Sequence, residues 1–141
     1  MNRRKRTGIL INGSTELAEQ LAKEIVDKYE VIMIEEPNPG LVMMKMRETS
    51  KRSLFYLGEV FVTECKVQIN RCLGIGILKG NDPKLAHHLA VIDAAYNAGL
   101  IETFKWEEAL LLQQQEINRK KQSFSSAVLK TKVNFETMDV Q

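Results

Sequence analysis

From Phe61 to Ile77 the chain alternates apolar and polar residues on either side of a break at Asn70 and Arg71. That period of two, interrupted once by turn-forming residues, predicts an antiparallel hairpin. Phe61, Cys65, Val67 and Ile69 share one face, while Glu64, Lys66 and Gln68 share the other, so the sheet has one wet side. Leu73, Ile75 and Ile77 form the apolar side of the returning strand. A three-residue loop at 70–72 brings them onto the side of Cys65 and Val67. A two-residue loop sets Ile75 and Ile77 against Lys66 and Glu64, so the three-residue register is the expected one. Neither register joins Cys65 to Cys72. The shorter loop leaves them about 13 Å apart at strand rise, and the longer one puts them on opposite faces. Two free thiols fit a reducing compartment.

The remaining segments read as α+β. Helices are expected at 6–11 and, capped by Ser14 or Thr15, along Leu17, Leu21 and Ile25. Residues 29–34 turn β-rich, Pro37, Asn38, Pro39 and Gly40 read as a reversal, and 41–46 as the returning strand. A long strand over 54–69 follows, with Gly58 marking a bend or bulge. Asp82 then Pro83 signals a helix start, Leu85, Leu89, Ile92 and Tyr96 give its apolar stripe, and Gly99 ends it. A last helix over 103–121 carries Trp106, Leu110 and Ile117 on one side. After Ser123, Ser125 and Ser126, the residues Leu129, Thr131, Val133 and Phe135 alternate with Lys130, Lys132, Asn134 and Glu136. The expected plan is therefore one domain over 1–126, with N-terminal helices, a four-stranded antiparallel meander and C-terminal helices, followed by an extended tail over 127–141. In that tail Leu129, Val133 and Phe135 form one apolar side, which pairs either with a partner subunit or with the domain's own sheet.

Charge and motif exclude several classes. The chain has 141 residues, 20 basic and 18 acidic. Four of the cations are Arg3, Arg4, Lys5 and Arg6, read as an exposed basic arm dispensable for folding. The rest is slightly acidic and only 6% of residues are aromatic, so nucleic acid is not the expected partner. The apolar run Ile9, Leu10 and Ile11 is cut off by Asn12, Gly13 and Ser14, short of a signal sequence. No run nears the ~20 apolar residues that cross a bilayer, so no membrane contact and a cytoplasmic location are expected. Gly74, Gly76 and Gly80 beside Lys79 fit neither the dinucleotide nor the Walker spacing. They read as strand glycines admitting bulky neighbours, with a phosphate contact in an assembly as the other reading. Cys65, Cys72, His87 and His88 make a strained zinc set, because adjacent helical residues diverge by about 100° and the cysteines are not a close pair. No metal is expected, and the histidines read as solvent-facing. No nucleophile elbow or triad is legible. Glu59 in mid-strand and Asp93 beside an apolar stripe are carboxylates that need partners, either structural hydrogen bonds or a bound substrate.

The order Tyr29-Glu30-Val31, Pro39-Gly40-Leu41-Val42, Phe55-Tyr56-Leu57-Gly58-Glu59-Val60, Val62-Thr63, Cys65, Val67, Gly74, Gly80, Ala86 and Asp93-Ala94 resembles the PhnG family. The ending Val133-Asn134-Phe135-Glu136-Thr137-Met138 is similar to that family's C-terminus. The resemblance implies a small subunit of the bacterial carbon–phosphorus lyase system. Such a subunit acts with partners, especially a PhnI-type subunit, in joining methylphosphonate to the ribose of ATP with release of adenine, forming ribose 1-methylphosphonate 5-triphosphate. ATP and methylphosphonate are then substrates of the complex, and no cofactor is expected on this chain. With two cysteines it lacks the ligands for the system's iron–sulfur cluster. Glu59, Thr63 and Asp93 match family positions, as substrate-binding or structural polar groups. No catalytic residue carries over by motif.

Overall fold

The structure, a computed structural model, describes residues 2–47 and 54–140, with side chains at 2–43 and 58–127. In chain order it contains α1 (Arg3–Asn12), α2 (Thr15–Lys28), β1 (Ile32–Arg47), β2 (Leu54–Ile69), β3 (Cys72–Lys79), α3 (Pro83–Asn97) and α4 (Ile101–Val140). The class is α+β, with helices at both ends of an antiparallel sheet ordered β1-β2-β3.

The β2–β3 hairpin turns on two residues and not on three. Asn70 and Arg71 hold φ of 49° and 68°, the mirror-image turn whose twist suits a two-residue hairpin, and Ile69 pairs with Cys72. Packing explains why the expected register fails. Cys65 pairs with Gly76 and Val67 with Gly74, so the glycines share the inner face with Thr63, Cys65, Val67 and Ile69. A Cβ at Gly74 would collide with the backbone of Ala90 and Ala94, and one at Gly76 with that of Ala86 and Ala90. Ala86, Ala90 and Ala94 recur every fourth residue of α3, so a small-residue stripe lies directly on a strand without side chains there. Leu73, Ile75 and Ile77 turn outward instead, opposite Gln68, Lys66 and Glu64. Close approach of helix and sheet outweighs the cost of exposing three apolar side chains in part.

Two further expectations are corrected. The meander has three strands, because the Pro37–Gly40 reversal does not form and β1 runs straight through it. Proline lacks a ladder donor, but β1 is an edge strand, and its pairing with β2 shifts register between Glu35 and Asn38. The Asn38 side-chain amide donates to the Glu64 carbonyl at 3.2 Å and supplies a cross-strand bond that the prolines cannot. Gly58 does sit at an irregularity, with φ of 149° where β1 slips between Met44 and Lys45. The tail is not extended either, since α4 continues to Val140. No Pro or Gly follows Gly99, and three serines are too weak as breakers to end a helix already propagating.

Capping follows the sequence closely. Ser14 accepts from the Glu16 amide, and Asp82 from the Leu85 amide with Pro83 at the first helical position. Gly99 (φ 66°) ends α3, and the Leu100 amide donates back to the Ala95 carbonyl. α3 is buried nearly all round, between the sheet and the layer of α1 and α2. Ile9 and Leu10 of α1, Leu21 and Ile25 of α2, and Trp106, Leu110 and Ile117 of α4 complete the core.

Candidate functional site

Of Glu59, Thr63 and Asp93, Asp93 is the most constrained. It is 5% exposed, its Oδ2 accepts from the Ile75 amide at 2.9 Å, and Oδ1 accepts from Arg6 Nη2 at 3.0 Å. Arg3 reaches Oδ2 at 3.1 Å. The Arg6 guanidinium lies 3.8 Å over the Tyr96 ring. Burial lowers the Arg6 pKa, and the attraction of Asp93 opposes that shift. β3 is an edge strand, and Ile75 points its amide away from β2. Asp93 covers that donor, and Asn97 Nδ2 covers the Leu73 carbonyl at 2.7 Å. Two α3 side chains thus close part of the sheet's free edge. The expected exposed arm is corrected at one residue: Arg6 is 6% exposed and belongs to this network, while Arg3, Arg4 and Lys5 are exposed.

Thr63 is also buried. Its hydroxyl donates to the Gly80 carbonyl at 2.6 Å and accepts from the Asp82 amide at 3.1 Å, fixing the chain between β3 and α3. Glu59 is exposed, on β2 opposite Met43. The three positions therefore serve separate places: a covered sheet edge, a β-to-α connection and an open strand.

His87 and His88 are half-buried rather than solvent-facing. Burial lowers both pKa values; for His88, Glu19 and Asp82 work against that shift without reversing it. His88 lines a cleft of about 550 Å³ with Thr15, Glu19, Asp82, Lys84 and Leu85. A groove of about 350 Å³ between α1 and α4 is bordered by Arg4, Lys5 and Lys121. Cys65 is a buried free thiol, with its Sγ 3.8 Å from Met33 Sδ, and burial raises its pKa. Among the described residues no three His, Cys, Asp or Glu gather as a metal site, and none of their helices is long and apolar enough to cross a membrane. Among the described residues no hydrogen bond links Thr15, Glu19 and His88 in the first cleft, and no histidine or carboxylate borders the second.

What the surface offers instead is apolar area. Beyond Val62, β2 has no β3 partner, so 41–47 and 54–61 form a two-stranded ribbon. On it Leu41 is 54% exposed and Phe61 68%. Ile101, Phe104 and Leu112 are exposed on the outer side of α4, and Phe124 is exposed further along, in line with Ile117. The sequence signal for that outer stripe was present as helical spacing, masked by the core stripe of the same helix. A two-stranded ribbon is marginal by itself, and contiguous apolar surface on a folded chain marks interaction.

The family model described as "Phosphonate metabolism protein PhnG" matches residues 1–140. No curated protein is similar enough to this chain to count as a match. Because that model spans nearly the whole length, the chain belongs to the PhnG family of phosphonate metabolism proteins.

Proposed function

We propose that this chain is a non-autonomous subunit of the carbon–phosphorus lyase core complex. In this reading it acts with a PhnI-type partner in transferring the ribose triphosphate of ATP to methylphosphonate with release of adenine. The observation that carries the reading is the family match over 1–140. The open apolar ribbon and outer α4 stripe support it, because both require a partner. The PhnI-type partner supplies most of the chemistry, and this chain orders it. A second reading, an assembly subunit that never touches substrate, is favoured by the engagement of Thr63 and Asp93 within the fold.

Adenine release from ATP and methylphosphonate, measured on the assembled complex with and without this chain, separates the readings. Participation predicts that release falls at least 100-fold while the partners stay together. A purely structural role predicts that the partners themselves come apart. Full activity of an intact complex lacking the chain would contradict both. The isolated chain is expected to release no adenine.

A further inference from the structure

We infer that α4 beyond Ile117 is a docking helix, held on two opposite sides by a protein partner whose apolar groove is rimmed with carboxylates. The inference rests on the reading of this chain as a subunit of a larger assembly. Trp106, Leu110 and Ile117 face the domain and are at most 8% exposed. Seven residues beyond Ile117 comes Phe124, two helical turns along the same side, yet it is 71% exposed. Val128, Phe135 and Met138 occupy positions four, eleven and fourteen residues further on, which keeps them on that side of the helical backbone. The core stripe of α4 thus continues after the domain that buries it has ended.

A second stripe runs along the other side. Ile101, Phe104, Leu111 and Leu112 are all exposed, and the positions of Leu129 and Val133 continue their line. The period-two alternation read as a strand therefore divides on a helix, with Leu129 and Val133 on one side and Phe135 on the other. Charge completes the description of the occupant. Arg119, Lys120, Lys121, Lys130 and Lys132 lie between Ile117 and Phe135, and no Asp or Glu does. Two copies packed through this segment would set these cations against each other. A helix lying on lipid needs one apolar and one polar side, and here a second apolar stripe would be left in water. A protein groove that contacts both stripes and carries carboxylates at its rim meets all three conditions.

The test co-expresses the full chain with the other subunits of the phosphonate system. One variant is Phe124→Ser, and the other combines Lys120→Glu with Lys121→Glu. Photoreactive benzoylphenylalanine at positions 112 and 124 serves as a contact probe. Both variants should melt like the parent, because the changed side chains are exposed, yet lose at least tenfold in co-purified partner. Both probes should crosslink to another subunit. Undiminished co-purification of both variants overturns the inference while leaving subunit membership intact. So do crosslinks solely to a second copy, or Phe124-dependent binding to phosphatidylserine vesicles in place of partner binding. If the parent chain co-purifies with no other subunit, the assembly reading fails, and the inference fails with it.

Discussion

The interface of α3 with β3 and the far end of α4 are built on opposite principles. At the first, glycine and alanine bring two backbones together, and side chains from α3 cover polar groups on the sheet edge. At the second, a helix carries its apolar side past the last surface that could bury it, and Phe124 stands in solvent. The contrast separates folding from assembly. Thr63 and Asp93 are engaged in holding the body together, Glu59 stays exposed, and the apolar side of α4 is left open at Phe124.

The largest blow to the closed region should come from Asp93→Ala. It leaves Arg6 buried without a carboxylate and the Ile75 amide without its acceptor, at a cost of about 3–5 kcal/mol in urea unfolding. A loss under about 1 kcal/mol would mean that the network is dispensable. Gly76→Ala comes next, since its methyl group meets backbone atoms of α3 that cannot swing aside, and about 3 kcal/mol should be lost. A neutral result would show that helix and strand are not in close contact. Gly8→Ala sharpens the comparison from the other side. Nothing lies within 4 Å of its added methyl in α1, so helix propensity should raise stability by up to about 1 kcal/mol.

The smallest effect concerns pH. Burial holds His87 and His88 below the ordinary 6.5, so the unfolded chain binds protons more readily than the folded one. The stability that follows is present above 6.5 and is lost as pH falls through the lower folded values. Melting temperature measured from pH 7.5 downward should decline across that window, and His87→Gln with His88→Gln should flatten the decline. An unchanged slope would contradict the burial of the rings.

Much of the closed region was legible in the chain. The helix start at Asp82 and Pro83, the stop at Gly99 and the extent of the long strand follow from capping chemistry and period two. The register was not legible, because choosing the apolar side of β3 as the buried side ignores what a helix does above Gly74 and Gly76. Nor was the continuity of β1, where Asn38 provides a cross-strand bond between two prolines. Asp93 and Thr63 could be singled out as polar groups needing partners, but those partners lie far along the chain, at Arg6 and Gly80. The open region was misread for a different reason. A period of two over a few residues fits a strand or two sides of a helix, and only the unbroken helix before it decides.

Hydrogen exchange along α4, in the isolated chain and in the purified complex, tests the division most directly. In the isolated chain the amides of α3 should exchange near the rate of global unfolding, and those of 118–127 far faster, since residues 118–127 are all exposed. In the complex the 118–127 amides should slow by at least tenfold while α3 stays unchanged. Protection of 118–127 equal to that of α3 in the isolated chain, or no slowing in the complex, would contradict the account.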